Sequence, residues 1–185
     1  MKWFRGLGGS KEPLAVSMAG VKLGDRVLVI GCGDPPLIAG LGTKTGLTGR
    51  TCALDAQDGR AASAAAFAES EGALVEAFTA PWTMLPFDAN AFDVAIVRDV
   101  LPSLEPPARS ACLTEVRRVL RPGGRCMSID PSPRHGLGGL LKRPDFAATD
   151  CAGSISRDFE AQGFRAVRTL AEREGLIFSE GIKGQ

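Results

Sequence analysis

Short apolar runs alternate with helical stretches along this chain. Val27-Leu28-Val29-Ile30 is unbroken and β-prone, and it stops at Gly31. Unbroken apolarity predicts a strand buried on both faces, as in a parallel sheet. Gly31-Cys32-Gly33 then reads as a turn. Pro35 and Pro36 suit the first turn of a helix, where a missing N–H leaves no bond unmade. That helix runs through Leu37 to Leu41 and ends near Gly42 and Gly46. Residues 51–55 read as a second strand. Asp58 stands where it can cap an Ala-rich helix that stops at Gly72, and 73–79 read as a third strand. A loop with Pro81 and Pro86 leads to a fourth strand over 92–97. Pro106 and Pro107 open a helix whose Leu113, Val116, Val119 and Leu120 recur at helical spacing; Gly123-Gly124 is expected to end it. Residues 126–129 form a fifth strand, and 131–149, rich in Pro and Gly, a long loop. A helix around 150–162 presents Ile155 and Phe159 on one face. Strands over 164–170 and 176–182 follow, joined by so few residues that they must pair antiparallel.

Strands alternating with helices predict one α/β domain over 1–185, with 1–20 as an N-terminal arm or helix. Its fold class is a Rossmann-like, doubly wound, seven-stranded and mostly parallel sheet with an antiparallel last strand. Such sheets bind ligands beyond the carboxyl ends of their central strands. The loops after the first four strands are therefore where chemistry is expected.

Composition narrows the function. Hydrophobic residues make up 44% and charged residues 23%, and the net charge is +1. No global excess of base calls for nucleic acid as a partner. Basic residues gather locally in 1–26 and 131–149, which read as solvated surface. Met1-Lys2-Trp3-Phe4-Arg5 reads as a docked arm, with a membrane surface or a protein partner as the alternative. The five cysteines form no CxxC pair, and one histidine cannot complete a zinc cluster, so no metal site is expected. Reduced thiols and no bilayer-length apolar run point to a cytoplasmic protein. Cys52 and Cys126 lie in apolar runs and are expected in the core.

Two features suggest a nucleoside-containing ligand. Gly31 and Gly33 form a turn that directly follows a buried strand, which lets a ligand approach the main chain. Asp55 closes the next strand, where a carboxylate can accept hydrogen bonds from both hydroxyls of a ribose. The alternative is a tight turn plus a capping acid. Position 36, where a nicotinamide motif would want its third glycine, is Pro36.

Further segments carry a family resemblance. Leu23-Gly24-Asp25-Arg26-Val27-Leu28 precedes the glycine turn. Leu85-Pro86-Phe87-Asp88 leads into Phe92-Asp93-Val94-Ala95-Ile96-Val97. Glu115-Val116-Arg117-Arg118-Val119-Leu120-Arg121-Pro122-Gly123-Gly124-Arg125 and Glu160-Ala161-Gln162-Gly163-Phe164 come later. In this order they resemble the class I S-adenosylmethionine-dependent methyltransferases, in particular the group with ubiquinone and menaquinone C-methyltransferases. The resemblance spans about 20–182. It implies methyl transfer from S-adenosylmethionine to a small-molecule or lipid-like acceptor. It places the methionine end of the cofactor along Gly31, Cys32 and Gly33, the ribose on Asp55, and the adenine beside Ala56. Trp82 can pack on the adenine or serve the core, and the acceptor enters near Arg98 and Asp99. Asp99 and His135 are the candidate bases; their alternatives are a helix cap and a surface loop residue. The chain departs from the family pattern at Val29, where an acid is usual, at Pro35, the third glycine position, and at Pro81, where an adenine-binding Asp is usual. The other reading is a methyltransferase-like domain that has lost the cofactor and serves as a binding or assembly module. A bare domain without a cap can close its site with a second copy, so a homodimer is a further expectation.

Overall fold

The computed structural model describes residues 13–132 and 151–185. In chain order these form α1 (Leu14–Ala19), β1 (Arg26–Ile30), α2 (Pro35–Thr45), β2 (Arg50–Asp55), α3 (Arg60–Ser70), β3 (Glu76–Thr79) and β4 (Phe92–Arg98). A short 3-10 turn (Leu101–Ser103), α4 (Pro106–Val119), β5 (Leu120–Pro131), α5 (Cys151–Ala161), β6 (Phe164–Arg173) and β7 (Leu176–Lys183) complete them. His135 and all but the first two residues of the expected 131–149 loop lie outside the described residues, as do 1–12.

The strands build one seven-stranded sheet in the order β3-β2-β1-β4-β5-β7-β6. The first five are parallel, β7 runs antiparallel beside β5, and β6 pairs antiparallel with β7. The chain winds from β1 outward to β3, then returns to lay β4 on the other side of β1. The reversal opens a crevice at the carboxyl ends of β1 and β4. One face of the sheet packs Leu28, Leu54, Ala95 and Cys126 against Leu113 and Val116 of α4 and Ile155 and Phe159 of α5. The opposite face packs Val27, Val29, Ile96 and Met127 against α1, α2 and α3. Two apolar faces explain why the central strands carry no polar alternation. Cys52 and Cys126 are fully buried, as expected.

Three local expectations are corrected. Asp58 does not cap α3; Gly59 holds that position with φ +77° and no side-chain bond. Gly123-Gly124 does not end α4, because Leu120 already has extended angles and starts β5. Asp99 is no helix cap either, since Val100 precedes the 3-10 turn. Among the described residues no helix is long and apolar enough to cross a membrane, and no acid, His and Cys group could hold a metal ion.

Candidate functional site

The ends of β1, β2 and β4 converge on a cleft of about 590 Å³ lined by Gly31, Gly33, Asp55, Ala56, Arg60, Trp82, Arg98 and Asp99, with Gln57, Val100 and Ser103 completing its wall. That volume falls within the ordinary range for small-molecule sites.

Gly31 adopts φ +93°, and its N–H donates to the Leu54 carbonyl at 3.0 Å. A Cβ here would lie 2.3 Å from the Arg98 carbonyl oxygen and 2.8 Å from Val100 Cγ2. The glycine is therefore needed so that β4 can end against β1, a tighter reason than ligand approach. Gly33 differs: an added Cβ would meet nothing within 4 Å, so it borders open space. Between them, Cys32 turns its side chain into the α2-side core at 3% exposure. Burial, reinforced by the Asp55 carboxylate, pushes its thiol up to about 12. Cys32 is not among the residues that line the cleft; its main-chain N–H donates to Asp55 Oδ2 at 2.8 Å.

Asp55 is almost fully buried, at 1% exposure, yet borders the cleft. Its Oδ1 accepts the Gln57 N–H at 2.9 Å, and the Arg60 guanidinium lies 4.0 Å from Oδ2. The carboxylate thus locks the glycine turn to the end of β2. An ionised carboxylate has about four acceptor positions. Two are filled by main-chain N–H groups, which leaves capacity for two hydroxyls on one ligand.

Pro35 and Pro36 begin α2, and Asp34 caps it by accepting the Leu37 N–H at 3.2 Å. Asp34 also receives Arg98 Nε at 3.5 Å, while Arg98 Nη1 donates to Asp99 Oδ1 at 2.6 Å and to the Ile129 carbonyl at 3.2 Å. Arg98 is thereby clamped across the crest of the sheet between two acids. Asp99 has φ +56°, a conformation that Asp tolerates better than most residues. Burial raises its carboxyl above the ordinary value; Arg98 opposes this and Asp34 adds to it.

Trp82 is half-buried, packing its ring on the edge of the α4/α5-side core while lining the cleft. Its loop is held from behind: Glu115 Oε2 accepts the Leu85 N–H at 2.9 Å, and Arg118 donates to the carbonyls of Phe87 and Leu85 at 2.8 and 3.0 Å. Val29 is fully buried beside Ala53 and Ile96, so an apolar residue fits the core where the family usually has an acid.

The cleft therefore unites seven residues anticipated from sequence: Gly31, Gly33, Asp55, Ala56, Trp82, Arg98 and Asp99. Gln57, Arg60, Val100 and Ser103 join them without having been anticipated. Arg60 and Gln57 follow Asp55 by a few residues, and a functional strand end was the only signal that pointed to them. The buried acid, the open edge at Gly33 and the aromatic wall fit a nucleoside with two neighbouring hydroxyls, as in S-adenosylmethionine.

Comparison with known proteins gives the family and the fold. Residues 27–124 match the model of the methyltransferase domain family. The 2-phytyl-1,4-beta-naphthoquinone methyltransferase of Arabidopsis thaliana is 34% identical over 121 residues, covering 63% of this chain and 46% of that protein. The ubiquinone/menaquinone biosynthesis C-methyltransferase UbiE of Chromobacterium violaceum is 30% identical over 115 residues, covering 62% and 46%. The chain thus spans about half the length of the curated relatives it matches. A SAM dependent methyltransferase from Aquifex aeolicus superposes with a TM-score of 0.76 at 21% identity, over 91% of this chain and 87% of that one, and shares the fold. The chain belongs to the methyltransferase domain family.

Proposed function

We propose that this chain, acting as one domain, binds S-adenosylmethionine in the β1/β4 crevice and serves methyl transfer to a small-molecule or lipid-like acceptor. The observation that carries this reading is the Asp55 carboxylate, fixed by two main-chain N–H groups at the cleft border with acceptor capacity left over. Quinone-directed relatives support an acceptor that is small and largely apolar.

When bound, the cofactor supplies an electrophilic methyl group on a sulfonium. The chain's own work is alignment and exclusion of water. Asp55 holds the ribose hydroxyls. Gly33 leaves room for the methionine portion along the main chain. Trp82 and Ala56 flank the adenine. The Asp34–Arg98–Asp99 clamp fixes the crest between cofactor and acceptor, and Asp99, half exposed with a raised carboxyl, is the group able to accept a proton there. His135 is the second candidate base from sequence.

Calorimetric titration with S-adenosylmethionine and S-adenosylhomocysteine tests the reading. The wild type should bind at micromolar strength. Asp55→Asn, which keeps one carboxyl-type acceptor and the side-chain shape, should bind at least about tenfold more weakly, a loss near 1.4 kcal/mol. No binding by a folded wild type at millimolar cofactor would overturn it and favour the binding-module reading.

A further inference from the structure

The pole of the sheet opposite the cleft carries apolar side chains that the fold does not cover. The parallel strands bring their carboxyl ends to the cleft, so the opposite pole is formed by the segments that enter β1, β2 and β3. Each of these segments exposes a leucine: Leu23 is 74% exposed, Leu47 89% and Leu74 70%. They stand around the last turn of α2. A Cβ on Gly46 would lie 2.6 Å from Leu23 Cδ1, and Leu47 is the next residue. One turn earlier, a Cβ on Gly42 would lie 3.1 Å from Ala73 Cβ and 3.5 Å from the Leu74 carbonyl oxygen. A lone exposed leucine needs no explanation, but a cluster marks a contact surface.

Charge is divided across this pole. On the β4 side, Lys22, Arg121 and Arg125 line a hollow of about 280 Å³ together with Asp25 and Asp93. Both acids are already bonded within the chain. Asp25 accepts the Lys22 N–H at 2.8 Å, and Asp93 accepts from Arg26 and Arg121. The hollow therefore meets the outside as a cationic pocket. On the β3 side, Glu69 and Glu71 are exposed at the end of α3, just before Leu74. Glu76 is paired with Arg50, and Lys44 in the last turn of α2 has a partner of its own, so neither alters this division.

Strand order turns the division into a symmetry. The sheet runs β3-β2-β1-β4 on this side. Neighbouring strands lie about 4.8 Å apart, so about three spacings separate the acidic side from the cationic hollow. Their midpoint falls between β1 and β2, where Leu23 and Leu47 meet at Gly46. A two-fold axis through that point lays leucines on leucines and brings each acidic end onto the other copy's hollow. A surface that matches itself in this way is what a two-fold contact requires. An anionic lipid surface fits less well, because it attracts the Lys22 end and repels the Glu71 end.

We propose that this pole is the contact surface for a second copy of the chain, with the Glu71 carboxylate of each copy seated in the other's hollow beside Lys22 and Arg121. The contact is small and its centre is a few leucines, which makes the dimer weak and concentration-dependent. The two clefts then face away from each other. The second copy does not close the site, and each cleft keeps its own opening. The interface does not depend on what the cleft binds.

Sedimentation equilibrium on the full chain gives the test. The wild type should pass from monomer to dimer between about 10 µM and about 1 mM, the span of a weak contact. Leu47→Glu puts two carboxylates at the axis and should stay monomeric throughout. Lys22→Glu sets acid against acid at both ends of the contact, and Glu71→Lys sets base against base. Each alone should weaken the dimer at least about tenfold. Mixed together, these two variants restore opposite charges at both ends. The mixture should form a dimer that neither forms alone, which also shows that both are folded, and added salt should weaken it. A wild type that stays monomeric at about 1 mM overturns the proposal, whatever the variants do. A dimer that tolerates Leu47→Glu and both charge reversals uses another face and overturns it too. Failure of the mixture to dimerise better than either variant overturns the two-fold arrangement. Leu47-dependent binding of a monomeric chain to phosphatidylglycerol vesicles would assign the pole to a membrane surface instead.

Discussion

Two glycines separated by one residue do different jobs. Gly31 combines a left-handed backbone with a carbonyl oxygen and a methyl group standing where its Cβ would be. Gly31→Ala must distort the β1/β4 junction, and a loss of about 2–4 kcal/mol is expected in denaturant unfolding. At Gly33 a methyl group meets no protein atom. Gly33→Ala should leave the melting temperature nearly unchanged while weakening S-adenosylhomocysteine binding severalfold, because the methyl occupies cleft space. Equal destabilisation by both, or unaltered cofactor affinity in Gly33→Ala, would contradict this division. Sequence showed the turn and Asp55 because they follow buried strands, but it could not separate a glycine required by packing from one that borders a ligand. Nor could it show that Cys32 points into the core, since both its neighbours are glycines and carry no side-chain pattern. Asp130 drew no reading from sequence, because the β7 residues that pair with its strand are remote along the chain.

At the level of elements, the parallel strands were legible because burial on both faces makes them read as unbroken apolar runs. Boundaries were less so. The Asp58 carboxylate matched a cap, but Gly59 with its positive φ takes the chain into α3 without a side-chain bond. Gly123-Gly124 looked like a helix stop, yet the helix had already passed into β5 at Leu120. The segment between β3 and β4 carries Trp82 and has no regular structure up to Phe92, so its order must come from outside. Glu115 and Arg118, one turn apart on α4, provide it. The hydrogen bond from Arg118 holds the Glu115 carboxyl below its ordinary range, so it stays ionised to receive the Leu85 N–H. Glu115→Ala removes an acceptor and leaves Arg118 without its ion-pair partner, which should cost about 1–3 kcal/mol. Hydrogen exchange should show early loss of protection at the Leu85 amide while amides of β1 and β4 remain protected. Uniform loss across the sheet would mean that Glu115 supports the core rather than this loop.

Over the whole molecule, two acids at opposite ends of the sheet, Asp93 half-buried and Asp130 buried, should pull stability in opposite directions as pH changes. Asp93, at the start of β4, accepts the Arg26 N–H and Nε at 2.7 and 3.1 Å, and Arg121 Nε at 2.5 Å. Burial pushes its carboxyl up, but the bonds from Arg26 and Arg121 outweigh this and hold it at about 2, below the ordinary 3.8. Its folded form favours the anion, so its stabilisation is present above the ordinary value and disappears as pH falls through about 2. Asp130 has the reverse sign. Its folded value of about 7 lies above 3.8, so stability is complete below the ordinary value and declines as pH rises through about 7. Asp93→Asn should therefore cost about 2 kcal/mol at neutral pH and close to nothing in strong acid. Asp130→Asn should become increasingly stabilising from about pH 4 upward and level off near pH 8, by at most about 4 kcal/mol. Denaturant midpoints for the wild type and both variants across that range provide the measurement. A flat difference for Asp130→Asn would mean that the carboxyl finds a partner when ionised. A rising difference would show a chain that gives up stability at neutral pH to keep the Asp130 carboxyl buried, a cost that the apolar packing on both faces of the sheet must offset.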